Sequence, residues 1–508
     1  MYKLHLILKY LRKRRIAWVS LIAVMLCTAM VLVVISVMGG WLRMFRESFH
    51  AMSGDIIISR QSLAGFEHYE QMIREVEQLP EVAGAAPVLK TFGLINIAGQ
   101  IQEGVQVIAF DLEQMDRINQ FRRTLYRQYE RPMELAQASS LPAEERAAYR
   151  ELAREPASFE LPLHPDVYRS FADPDAEVEF DEASRPGMIV GVGLVFRKRA
   201  DGTYPDPEQY GLYHAPVTLT VLGVTDSATR VDLSRQTSVN RYWIVDHSRA
   251  NIWQYDSGTV YVPFDVLQRD LRMQQRTLTD PDTGEQRIVP GRTSEVQIAI
   301  KPGVDLYAAK EKVIDVVRRI AHEHGIPFAP DEVGRERPSL GALDVRTWEE
   351  ANAKFIAAIE KEKILVTMLF GIISVVAIFL IFCIFFMIVV EKTKDIGIIK
   401  SVGATSSGVA GIFLGYGLAI GIVGGGLGLL VGFLIVRNIN YLHDQMGRLM
   451  GVQMWDAETY MFDTIPNTMN PNEVVVIVSV AIISSLLGAL VPAIRAARMN
   501  PVEALRWE

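Results

Sequence analysis

The segment Glu391-Lys392-Thr393-Lys394-Asp395-Ile396-Gly397-Ile398-Ile399-Lys400-Ser401-Val402-Gly403-Ala404-Thr405 sets charges of both signs beside a stripe of isoleucines. A short helix of that kind suits the groove of a soluble partner. A plain charged turn fits the same spacing equally well. Residues that could do covalent or metal chemistry are present elsewhere, but in the wrong pattern. In His322-Glu323-His324 the histidines stand two apart, so on a helix they point to different faces and no metal site is expected. Asp280 to Glu285 lacks the ligand series of a calcium loop and reads as a hairpin turn. No G-x-x-x-x-G-K-[S/T] stretch occurs, so the phosphate-cradling loop of a P-loop ATPase is missing. The G-x-G at Gly426 and Gly428 follows no strand and is not a nucleotide fingerprint. No nucleophile, base and oxyanion set stands out. The expectation is a non-catalytic chain with no cofactor of its own and no nucleic-acid partner.

What positions the mixed-charge segment is apolar sequence on both sides. Ile16 to Leu42, Val366 to Val390, Ser401 to Val436 and Val474 to Ile494 carry no Asp, Glu, Lys or Arg. A helix needs about 20 such residues to cross a hydrocarbon core about 30 Å thick. Four spans are therefore predicted, at residues 16–42, 364–390, 407–436 and 474–494. The basic run Lys9, Arg12, Lys13, Arg14 and Arg15 resembles the start of a signal peptide, but the apolar run behind it is too long and lacks a cleavage site, so it reads as a retained anchor. Lys and Arg resist translocation. The basic N-terminus, residues 391–406 and the tail 495–508 are accordingly expected in the cytoplasm, with residues 43–363 and the loop 437–473 outside. Residues 1–15, with Leu4, Leu8 and Leu11 against the basic positions, suggest an amphipathic helix on the inner membrane surface.

The 508 residues are 49% hydrophobic with a formal charge of −7, and the two cysteines, Cys27 and Cys383, both fall in predicted spans. The large outer part must then hold together by its own core, without disulfides. Alternating and β-branched residues predict strands at Asp55 to Ser59, Val88 to Phe110 with breaks at Gly93 and at Gly99 to Gly104, Met188 to Phe196, Val217 to Val224, Arg241 to Val245, Thr259 to Val262 and Val296 to Ile300. Helical periodicity marks Tyr69 to Gln78, Asp265 to Met273 and Leu306 to His324. Residues 111–182 are rich in alanine and charge, and read as a peripheral helical insertion. Ser339 to Lys363 reads as a helix returning to the membrane. The fold class is a four-span α-helical membrane protein with an extracytoplasmic α+β domain inserted between the first and second spans. Eleven glycines between Ser401 and Val436 would let helix backbones approach closely in lipid.

The mixed-charge segment resembles the cytoplasmic coupling region of the ABC-type permeases that include the lipoprotein-releasing, macrolide-exporting and FtsX-type cell-division proteins. Val491-Pro492-Ala493-Ile494-Arg495-Ala496-Ala497-Arg498-Met499-Asn500-Pro501-Val502-Glu503-Ala504-Leu505-Arg506 is similar to their C-terminal signature. Ile35 to Trp41, Thr347-Trp348, Glu360 to Lys363, Gln254 to Ser257 and Val260 to Pro263 resemble the LolC/LolE-type branch, with Gly39 where Asn is usual. Residues 111–182 have no counterpart in the compact members.

That resemblance implies a permease of the bacterial inner membrane that works with a dimer of cytoplasmic ATP-binding subunits, which hold ATP and Mg, and with a second permease copy or paralogue. Glu391, Lys394, Asp395, Gly397, Lys400, Gly403, Ala404 and Thr405 would couple to the ATPase. Val37, Met38, Trp41, Phe45, Ile359 and Lys363 would line a cavity for lipoprotein acyl chains drawn from membrane lipid. A hairpin carrying Asp226, Arg230, Arg235, Asn240 and Arg241 would recruit a periplasmic lipoprotein carrier. Two other activities fit the same transmission: small-molecule or peptide efflux, and non-transporting control of a cell-wall hydrolase.

Overall fold

The computed structural model describes residues 15–60, 62, 64–97, 99, 101–160, 186–197, 204–205, 213, 215–222, 237–279, 286–329, 341–450, 455, 462 and 464–506. Two compact units divide the chain, one formed by Arg46–Ala353 with Asp456–Asp463 and the other by the remaining residues.

The strands of the Arg46–Ala353 unit are β1 (Ile56–Arg60), β2 (Phe66–Glu67), β3 (Val82–Ile97), β4 (Ile101–Phe110), β5 (Gly187–Gly191), β6 (Pro216–Leu222), β7 (Thr237–Ser248), β8 (Thr259–Pro263), β9 (Arg276–Thr279), β10 (Gln286–Val289), β11 (Arg292–Thr293), β12 (Glu295–Ile300) and β13 (Leu343–Thr347). β13, β1, β12 and the first half of β3 make an antiparallel sheet. Alternation puts Ile56, Ile58, Val296, Ile298, Leu343 and Val345 on one face, where they pack on Met72 and Val76 of helix Tyr69–Val76 and on Val313, Val317 and Ile320 of helix Leu306–Glu323. The longer helix starts where the Asp305 carboxylate accepts the N–H groups of Tyr307 and Ala308.

The second half of β3 pairs with β4 on one side and β6 on the other. β6 continues to β7, β7 to β5, β5 to β8, and β8 back to β4. Six strands thus close into a ring, which leaves no free edge around it. Inward-facing Ile95, Val107, Val217, Leu219, Tyr242, Ile244 and Val260 fill its interior.

Several expectations change here. β3 is not broken at Gly93, nor β4 at Gly104. Gly93 instead marks the ring's closure, because a Cβ there would lie 2.9 Å from the Thr220 carbonyl oxygen. Met188 to Phe196 is strand only to Gly191, after which Val192–Val195 is a helical turn. Ser339 to Lys363 is not one helix, since Leu343–Thr347 joins the sheet before a Thr347 capping box starts helix Trp348–Ala351. Residues 111–130 are not peripheral, whereas helix Ala143–Leu152 buries none of its side chains. Met115, Ile118, Phe121 and Leu125 are buried against Phe110, Val245 and Tyr261, and the buried Asp246 carboxylate accepts the N–H groups of Arg127 and Gln128 at 2.9 and 3.0 Å. The amphipathic N-terminal stretch up to Arg14, the Asp280 to Gly284 turn and residues 161–182 lie outside the described residues; β9 and β10, which flank that turn, pair antiparallel.

Among the described residues four helices are long and apolar enough to cross a membrane: Arg15–Ala51, apolar from Trp18, then Ala353–Glu391, Ser406–Arg437 and Pro471–Arg498. The glycines of the third face two neighbours. Cβ atoms on Gly417 and Gly421 would meet Ala489 and Ile482 of the fourth helix at 2.6 and 3.0 Å. Those on Gly424, Gly428 and Gly432 would meet Val24, Met25 and Leu32 of the first at 3.0, 2.7 and 3.0 Å. Helical spacing of four thus builds two smooth faces on one helix. Residues 437–473 are not simply a loop, because Ile439–Met450 is helical.

Candidate functional site

The mixed-charge segment folds as helix Thr393–Ser401. Its chain reversal depends on Gly403, whose φ of 105° strongly favours glycine, and on Thr405, whose hydroxyl caps the third apolar helix by accepting the Gly408 N–H. Ile396 is buried with Val389, Val409 and Ala496, and Ala404 packs on that cluster. Gly397 is buried beside it. Lys392 pairs with Asp395. Lys400 donates to the carbonyls of Ala497 and Met499 at 2.8 and 2.7 Å, which ties the segment to the end of the fourth apolar helix. Glu391 and Lys394 are exposed. So are Ile398 and Val402, at 51% and 85%, and Val502 at 64%. Sequence spacing singled out none of these three as exposed; an apolar residue next to the Gly403 reversal was the available signal.

At the opposite ends of the apolar helices, Phe45 is fully buried and 6.2 Å from the Phe355 ring, and Ile359 is buried one helical turn beyond Phe355. Another turn on, Lys363 pairs with Glu473 at 3.0 Å. A Cβ on Gly39 would stand 3.3 Å from the Glu473 carboxylate and 3.6 Å from Lys363 Nζ, so the missing side chain gives the pair its room. Val37, Met38 and Trp41 are half-buried. Of the six residues expected to line a cavity, Phe45 and Ile359 are thus buried and the other four half-buried. Glu473 was missed because its partner lies 110 positions away.

Asp226, Arg230 and Arg235 of the expected docking hairpin lie outside the described residues. At its base, Arg241 is exposed. Asn240 donates to Asp270, which also accepts from Tyr242 Oη at 3.0 Å. Just before the hairpin on β6 and after it on β7, register places Leu94, Thr220 and Val239 in one outward row, with Phe92 and Leu222 on the same face. Phe92, Leu94, Leu222 and Val239 are 68, 52, 42 and 58% exposed. These four large apolar side chains form one exposed patch.

Asp246 anchors a buried network behind that ring. Burial pushes its carboxyl up to about 6 against the N–H groups that stabilise its charge. Burial and the nearby Arg249 charge push His247 down to about 3. The ring is therefore neutral. Arg249 Nε donates to its Nε2, which leaves Nδ1–H to donate to Tyr213 Oη. Among the described residues no group of three metal-ligating side chains converges; His324 stacks on His68 and meets Gln71.

This arrangement is that of a multi-pass membrane protein with an FtsX-like permease domain, since residues 367–501 match the FtsX-like permease C-terminal family. Individual relatives are more specific. The chain is 30% identical over 167 residues to the lipoprotein-releasing system transmembrane protein LolC of Neisseria meningitidis serogroup B, covering 33% of this chain and 40% of that one. It is 29% identical over 119 residues to LolE of Haemophilus influenzae, covering 23 and 29%. It is 30% identical over 160 residues to the macrolide export ATP-binding/permease protein MacB of Hahella chejuensis, covering 30 and 21%. The chain thus spans about two fifths of the length of the LolC relative. Among solved structures, the periplasmic region of MacB from Actinobacillus actinomycetemcomitans aligns with a TM-score of 0.26 and 7% identity, over 59% of this chain and 91% of that one.

Proposed function

We propose that this chain is the permease subunit of an ABC-type assembly that extracts lipoproteins from the inner membrane and passes them to a periplasmic carrier. Helix Thr393–Ser401 carries the reading. Exposed Ile398, Val402 and Val502 beside Glu391 and Lys394 form an apolar knob rimmed by charge, suited to a groove on a cytoplasmic ATP-binding subunit. Lys400 passes a push on that knob to the fourth apolar helix. Withdrawing acyl chains costs about 0.8 kcal/mol per buried methylene, so ATP bound with Mg on a partner dimer is the natural source of work. A second permease copy or paralogue completes the path. The outward face of Phe92, Leu94, Leu222 and Val239 serves the carrier.

The test co-expresses the full chain with its ATP-binding subunit and measures ATP-dependent transfer of a lipoprotein from proteoliposomes to a soluble carrier. Ile398→Glu with Val402→Glu should abolish co-purification and transfer while membrane insertion persists. Undiminished association would refute the coupling assignment. Transport of a macrolide or peptide without lipoprotein transfer would move the chain to the efflux class.

A further inference from the structure

The Arg46–Ala353 unit contains a cavity of about 290 Å³ that the proposed transport cycle does not use. This is just under the roughly 300–1,000 Å³ typical of ligand pockets. The rings of Phe49, Phe110, Phe121, Tyr255 and Tyr261 supply much of its wall, and Lys90, Glu295 and Arg346 supply charge. Lys90 and Glu295 stand 2.7 Å apart with side chains 31 and 19% exposed. Burial disfavours the Lys90 ammonium, but the neighbouring Glu295 outweighs it and raises the Lys90 pKa.

Lys90 and Arg346 are the wall's donor-only groups. Glu295 is engaged by Lys90, and Gln297 Oε1 accepts the Gly54 N–H at 3.1 Å. Arg346 gives its Nε to Asp344, which is not among the wall residues, and keeps its Nη groups for other acceptors. Tyr261 is 1% exposed, and its hydroxyl, with the Ser248 side chain close by, has no well-aligned hydrogen-bond partner among the described residues. A buried hydroxyl in that state favours any ligand that brings an acceptor. Burial keeps Tyr255 and Tyr261 protonated, so both hydroxyls can donate.

We propose that this cavity binds a small organic anion, a carboxylate or phosphate ester with an apolar or aromatic body. Arg346 and the tyrosine hydroxyls hold the anionic head, and the aromatic wall holds the body. Phe49, Met52 and Ser53 at the start of the unit and Ala351 and Asn352 at its end share the wall. An occupant therefore bridges the two segments by which the unit's chain enters and leaves.

Calorimetry on the full chain in neutral detergent tests this with phenyl phosphate as the probe. Saturable one-site binding is expected, weakened about tenfold or more in Arg346→Gln and in Tyr261→Phe. Tyr261→Phe removes one oxygen, so it reports even if loss of the Asp344 partner harms the other variant. Displacement by dihexanoylphosphatidylglycerol would identify a lipid headgroup as the source, and displacement by glycerol 3-phosphate alone a soluble ester. No saturable binding, equal binding of benzylamine, or unchanged binding in both variants would overturn the proposal.

Discussion

Alanine at Gly428 should damage the membrane unit, while alanine at Gly426, two positions away, should not. A Cβ on Gly428 would lie 2.7 Å from both the Met25 carbonyl oxygen and Thr28 Cβ, too close for any real contact. One on Gly426 or Gly411 meets nothing within 4 Å. Overpacking a tight contact costs about 1–3 kcal/mol, and alanine recovers up to about 1 kcal/mol of helix propensity. Gly428→Ala should therefore lose about 1–2 kcal/mol, and the two open positions should lose nothing or gain slightly. Gly424→Ala and Gly432→Ala, with nearest approaches of 3.0 Å, should fall between. Reversible unfolding of the purified protein in mixed micelles, titrated with sodium dodecyl sulfate, reads these differences. If Gly428→Ala proves no more harmful than Gly426→Ala, the assignment of that face to the first apolar helix is wrong.

Lys363→Met should cost about 1–2 kcal/mol by stranding a Glu473 carboxylate that is 27% exposed. Exchanging the charges, Lys363→Glu with Glu473→Lys, should restore at least half of that in a double-mutant cycle. Asp246→Ala should cost about 3 kcal/mol by orphaning the N–H groups of Arg127 and Gln128, and limited proteolysis should then cut within residues 121–160. The raised pKa of Asp246 gives stability below about pH 4 that is lost as pH rises through about 6. Asp246→Asn should flatten that part of the stability profile in denaturant titrations. Phe92→Ser with Val239→Ser should leave thermal unfolding within about 0.5 kcal/mol, because both side chains are exposed, yet lower capture of a carrier in crosslinking.

The apolar helices were legible because a bilayer forbids charge over a fixed length, and composition records that directly. Most strands and helices of the Arg46–Ala353 unit were legible for a similar reason: half-buried elements alternate. Pairing was not. Nothing local indicates that β3 contacts both β4 and β6, so Gly93 looked like a break when it is the place where two strands come close. Residues 111–130 were misjudged because arginines and glutamates are frequent there, while the few residues that settle their position, Met115, Ile118, Phe121 and Leu125, are scattered among them. At the coupling segment the residue types were visible. Which of them face inward depends on Lys400 reaching the chain almost a hundred positions later.

β3 is a single uninterrupted strand of sixteen residues, and its two ends belong to different halves of the same unit. A beam shared in this way joins the helix-backed sheet to the ring through one continuous run of backbone pairing. A torque applied to the sheet must turn the ring with it, and the apolar row bearing Leu94 and Val239 is carried round as if at the rim of a wheel. Whatever rests on that rim would be displaced along with it.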